Sequence, residues 1–273
     1  MLLVVASSAA LRLSQARVAC PEWPTCRLVQ GPVAQRVAAA ALPAAAETAV
    51  RGLHRASASL ALLVIIVMLI RCRALSSDCE PVLKRSLWGL LALAIGLSAL
   101  GIAVPGARQG LPMLGNLLGG LSMLALAWTL VRRLAGPRSC TPQVRRRARW
   151  AALAWLAQAA SGAWSGAAGV GAGSVAPILH LLLAVLAFAL AFWLVLSLRT
   201  AGLGSEGRVL LALLGMQALL GTWALIASPT LAVVLLHNLS AAVGLAWIAG
   251  RALSDVTPSR EVSGMALPVR EPA

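Results

Sequence analysis

The feature that most constrains this chain is a series of apolar stretches, several of them about 20 residues long and free of charge. Coiled into a helix, such a run covers about 30 Å, the thickness of the hydrocarbon layer of a bilayer. Across 273 residues, 60% of them hydrophobic and 11% charged, these runs exceed what a soluble domain can hide. The fold class expected is therefore an all-α integral membrane protein. Apolar periodicity places eight transmembrane helices near 1–14, 54–71, 86–105, 111–131, 150–170, 175–198, 208–227 and 230–250. Pro105-Gly106 and Ser228-Pro229 mark tight turns between neighbouring spans. The first run is short, and no basic residues precede it as in a secretory signal, so it reads as a first helix that has lost part of its length.

A formal charge of +15 would point to nucleic acid in a soluble protein, but here the arginines sit between the apolar runs and report topology instead. Arg71, Arg73, Lys84 and Arg85 share one loop, and Arg132, Arg133, Arg138, Arg145, Arg146, Arg147 and Arg149 crowd another. Arg199 and Arg208 flank a third, and Arg251 follows the last helix, whereas the alternate loops carry Arg108 or nothing. The expectation is a multi-pass protein of the inner (plasma) membrane with both termini in the cytoplasm. The loop 15–53 carries four arginines and is still assigned outside, because the later loops agree with one another. The polar tail 254–273, with Pro258 and Pro268, is expected to be disordered.

This topology gathers the chemistry. His54, His180 and His237 are the only histidines, and they fall on helices two, six and eight, which run the same way, in the outer half of the membrane. His54 is expected to open its helix, with His180 about one turn and His237 about two turns into theirs. One such histidine is readily explained by packing or by the membrane interface. Three at similar depth favour a function, because ionisable groups within a bilayer are costly. Facing imidazoles on bundle helices suit the axial positions of a heme iron. Zinc or copper would want further ligands, and no carboxylate or cysteine lies at that depth on these helices. No acidic residue is expected within the spans, which argues against a transporter, as does the lack of an evident broken helix.

A weak internal repeat divides the chain into two four-helix halves, 1–133 and 150–253, joined by a basic linker over 134–149. The second helix of each half carries a histidine. The fourth helices compare as Leu114-Gly115-Asn116-Leu117 against Leu236-His237-Asn238-Leu239. In the first loop, Cys20 and Cys26 bracket Pro-Glu-Trp-Pro-Thr and read either as a disulfide or as two separate thiols. Cys72, Cys79 and Cys140 fall in cytoplasmic loops, where reduced thiols are expected.

Several of these residues together resemble a known family. Ala10-Leu11-Arg12-Leu13-Ser14, followed by Cys20-Pro21-Glu22-Trp23-Pro24-Thr25-Cys26, resembles the "RLTxSGLSCPDWPLC" segment of heme A synthases. His54-Arg55 is similar to the family's "HR" on helix two, and Asn116-Leu117-Leu118-Gly119-Gly120 to "HLLGG" on helix four. Gln158 to Trp164 resembles "QIxLGGW", and His180 with Ala184 and Phe188 resembles "HRxxAxxxF". Met216 to Gly221 resembles "LQVxLG", and His237-Asn238 with Ala241 resembles "HNxxAA". Each motif is loose, but they recur in order over nearly the whole chain.

The resemblance implies two four-helix halves, with heme b held by His180 and His237 in the second. It implies that the first half receives heme O through His54 and oxidises the methyl group at ring position 8 to a formyl group. The product would be heme A for cytochrome oxidase. Cys20 and Cys26 would be the family's external cysteine pair, exchanging with a thiol-disulfide partner. Heme O synthase, oxidase assembly factors and a second copy of the chain are the other partners implied, and no nucleic acid is expected. The departures concentrate in the first half. Asn116 stands where the family's ligand is lost, Arg51 stands where the family has a glutamate, and Leu181 replaces an arginine. Glu47, Arg51 and Glu22 are the candidate catalytic residues. A family member that binds heme without oxidising it, for heme handling, oxidase assembly or electron transfer, is the alternative.

Overall fold

The structure is a computed structural model, and it describes residues 1–14, 18–19, 27–28, 42–74, 80–103, 110–136, 140–168, 175–226 and 230–254. The described residues form eight helices and one short ladder. The helices are α1 (Leu2–Ser14), α2 (Ala44–Ala74), α3 (Pro81–Ala103), α4 (Gly110–Leu134), α5 (Pro142–Ala168), α6 (Val175–Thr200), α7 (Gly204–Ile226) and α8 (Leu231–Ala252). Between α1 and α2, β1 (Val18–Ala19) pairs antiparallel with β2 (Arg27–Leu28), Ala19 opposite Arg27. Cys20, Glu22, Cys26 and Cys79 lie outside the described residues, as does the tail from 255 onward.

Local sequence explains the boundaries. Pro81 and Pro142 take the first helical position, where their missing N–H costs nothing. Thr230 caps α8 by accepting from the Val233 N–H at 3.4 Å. Gly202, at φ +77°, makes the sharp turn from α6 into α7.

Among the described residues, six helices are long and apolar enough to cross a membrane, not the eight expected. The two that fall short do so for different reasons. α1 has 13 residues, about 20 Å of helix. α5 is long enough, but it opens with Arg145, Arg146, Arg147 and Arg149 and continues mainly in alanine, glycine, serine and glutamine. Its work is internal: Ala148 and Ala151 are fully buried against a core that includes Ala187, Ala191 and Leu194 of α6 and Leu245 and Ile248 of α8. Small residues let these helices approach closely, which strong hydropathy would not. By contrast Ile66, Leu186, Leu219 and Ile226 point outward, an apolar belt suited to lipid and not to water.

Other boundaries also moved. α2 begins ten residues before His54, so this histidine sits well inside its helix instead of opening it. Residues 142–149, expected as linker, are the first turns of α5. There Arg147 bonds Ser197 and lies 4.2 Å from the centre of the Trp193 ring, so the basic run is anchored against α6. Cys72 is disulfide-bonded, which the reduced thiol expected at the cytoplasmic end of α2 did not foresee. The Cys140 thiol donates to the Arg251 carbonyl at 3.9 Å.

The basic ends collect at one end of the bundle. Arg133 reaches Leu253 O and Glu80, and Arg149 reaches Ala252 O, tying the ends of α4 and α8 to the starts of α3 and α5. Here the sequence reading missed a buried acid. α7 starts at Gly204, not near 208, so Glu206 enters its first turn, 7% exposed. It accepts from Arg251 and from Arg132 Nη2, the latter at 2.9 Å.

Candidate functional site: one cavity with three imidazoles

Toward the other end of α5 to α8, the helices part around a cavity of about 1290 Å³. Its wall is apolar with scattered serines and amides, and His54, His180 and His237 all line it. That volume exceeds the roughly 300–1,000 Å³ of an ordinary small-molecule pocket. The three histidines placed together from sequence thus do meet around one space.

His180 sits early in α6, facing the late turns of α5. Its Nδ1 lies 3.1 Å from Ser161 Oγ, whose own hydroxyl donates to Gln158 O at 2.9 Å. Ser161 therefore accepts from His180 Nδ1–H, and the ring's lone pair is at Nε2. Gln158 Nε2, a donor only, faces that atom at 3.3 Å, which fits the same tautomer. The ring fits against Gly162, where a Cβ would stand 2.7 Å from its Cε1.

His237 repeats the arrangement on α8 against α7. Gln217 Nε2 lies 3.2 Å from His237 Nε2, and the Ser240 hydroxyl lies against both Gln217 Oε1 and His237 O, the latter at 3.0 Å. A Cβ at Gly221 would stand 3.3 Å from the ring Cε1. Each ring thus rests on the preceding helix beside a glutamine and a glycine four residues further on (Gln158 and Gly162, Gln217 and Gly221). His237 Nδ1 is buried with no partner, as is Gln158 Oε1.

His54 on α2 meets α1. Its Nδ1 lies 3.2 Å from Ser7 Oγ, which donates to Leu3 O at 2.6 Å, so this ring too carries its proton on Nδ1. In His54 and His180, then, Nε2 holds the lone pair. Across the cavity α4 contributes Asn116, and α8 contributes Asn238. Gly115, which aligns with His237 in the repeat, does not line the cavity; a Cβ there would meet Leu100 at 3.5 Å. The cavity position in α4 therefore belongs to Asn116.

The candidate catalytic pair is elsewhere. Arg51 donates to Glu47 along the exposed side of α2, and neither lines the cavity. Among the described residues, no three histidines, cysteines or carboxylates converge to hold one metal ion. The geometry suits a group needing one or two imidazoles, and imidazole ligands are ordinarily oriented through the other ring nitrogen, as Ser161 and Ser7 do here. Sequence reasoning found the histidines and missed Ser7, Ser161 and Ser240, because short hydroxyls in apolar helices carry no signal until the partner helix is in place. The chain matches no known family model, no curated protein and no solved structure.

Proposed function

We propose that the chain is a heme-binding membrane oxidoreductase of the heme A synthase type. It would convert heme O to heme A by oxidising the C8 methyl group, for cytochrome oxidase biogenesis. The observation that carries this reading is that His54, His180 and His237 all line one large, mainly apolar cavity, where their imidazoles would be available to a heme iron.

His180 and His237 would hold the heme of the cofactor half, with Ser161 keeping His180 in register and Gln158 and Gln217 beside the two rings. A heme b bound between them would supply one-electron chemistry, with the chain positioning and tuning it. His54 would be the imidazole that holds heme O in the first half, where Asn116 offers no second strong ligand. Glu47 and Arg51 neutralise one another away from the cavity, so they carry no proton transfer in this reading. α1 and α5 complete an eight-helix bundle of two related halves, with α1 crossing only part of the membrane. The chain would sit in the inner membrane with both termini cytoplasmic, near heme O synthase and the oxidase assembly factors. Its external cysteines would face a thiol-disulfide partner.

A second reading, heme binding without oxidation, is favoured by Asn116 and by the position of the Glu47–Arg51 pair. Expression in a host that makes heme O but not heme A separates the two. Heme A in the extract of the purified protein supports the synthase. Heme B alone, at good expression, sinks catalysis and leaves the binding function, and no heme of any kind sinks both.

A further inference from the structure

Arg12 stands out on the cavity wall. It lies in the last turn of α1, and among the described residues it is the only side chain of fixed charge that lines the cavity. It reaches across to α8, where Nη2 donates to Asn238 Oδ1 at 3.3 Å. Asn238 is the residue after His237, and both line the cavity, so the contact ties α1 to α8 at the wall that holds this imidazole. Among the described residues, Arg51, Arg132, Arg133 and Arg251 each have a carboxylate partner, and none is shown for Arg12. An amide oxygen satisfies one donor and leaves the charge uncompensated.

A cation on an apolar intramembrane wall is costly unless an anion meets it. The guanidinium is also the side chain best shaped to take two oxygens of a carboxylate at once. We infer that Arg12 is the anchoring residue for a carboxylate on the ligand of this cavity. The ligand class is therefore an apolar body bearing an acidic group. This rests in part on the heme reading, which would make the group a porphyrin propionate; the carboxylate of a fatty acid has the same chemistry.

The test uses the full-length chain in nanodiscs of uncharged lipid. It is titrated with hemin and with hemin dimethyl ester by absorbance, and with a fluorescent fatty acid and its methyl ester by emission. The unsubstituted chain is expected to prefer an acid over its ester by about tenfold or more, as a charge-assisted hydrogen bond gives. Arg12→Gln is expected to bind acid and ester alike, and Arg12→Lys to keep part of the preference. Ester binding equal to that of the unsubstituted chain shows that each variant is folded.

Preference confined to the hemin pair supports the porphyrin propionate. Preference confined to the fatty acid pair supports the carboxylate site and removes the porphyrin as its source. If both hemins bind equally well to the unsubstituted chain and the fatty acid binds no better than its ester, the heme reading stands and the anchor falls. No preference for either acid overturns the inference without any variant, and so does a preference that Arg12→Gln leaves unchanged.

Discussion

Gly162 and Gly221 matter for the space they leave, which the two rings fill. With a Cβ at Gly162 only 2.7 Å from His180 Cε1, Gly162→Ala forces the ring off Ser161. Heme affinity is expected to fall by about tenfold or more, near the top of the range for disturbing the support of a metal-binding imidazole. Gly221→Ala, at 3.3 Å, should be milder. Hemin titration of the two variants checks the order, and equal, undiminished affinity would sink the cradle. Ser161→Ala removes the acceptor for His180 Nδ1–H while leaving space untouched, and it should weaken binding roughly 10- to 100-fold by the same reasoning. At this scale the sequence disclosed His180 and His237, because an ionisable ring in an apolar run is conspicuous. It disclosed Gln158 and Gln217 only as members of two loose motifs. Nothing in their own helices says that each amide serves a histidine on the next one.

At the scale of single helices, apolar runs marked the lipid-facing elements well and the interior ones poorly. α6 was legible almost residue for residue, because its long aliphatic sequence is needed to face lipid. α5 was harder to delimit, since its alanines answer to the helices around it. α7 shows what a boundary error hides: four residues added at its start bring in Glu206, and with it a buried cluster that holds α4, α7 and α8 together. Arg251 is 1% exposed there. Removing the acid strands that cation, and losing one partner of a buried ion pair costs about 3–5 kcal/mol. Glu206→Gln should accordingly unfold at clearly lower temperature in detergent, as followed by helical circular dichroism. Glu206→Leu combined with Arg251→Met should recover part of the loss, because the most deeply buried cation then leaves with the acid and Arg132 keeps its place over the Trp247 ring. A single variant as stable as the unsubstituted chain would mean that the cluster contributes nothing.

Taken whole, the molecule is asymmetric in a way that its repeat alone does not convey. Its two core clusters share α4, one running over α2 to α4 and the other over α4 to α8. α1 packs on both α2 and α8, so the cavity belongs to both halves. The repeat was visible in the paired histidines of α2 and α6, but it left the α4 position ambiguous by one residue. Packing resolves that ambiguity, since Asn116 faces the cavity and Gly115 faces Leu100. This makes the difference between the halves testable. If His54 and Asn116 stand on opposite faces of one porphyrin, Asn116→His supplies the second strong ligand. The variant loaded with excess hemin should then gain a further low-spin signal in electron paramagnetic resonance, beside that of the His180/His237 heme. Adding His54→Ala should abolish the new signal alone, and adding His180→Ala should abolish the original one alone. If Asn116→His leaves the spectrum unchanged at full loading, His54 and Asn116 do not share a porphyrin. The first half would then lose its claim to a substrate site, while the second half would keep its heme.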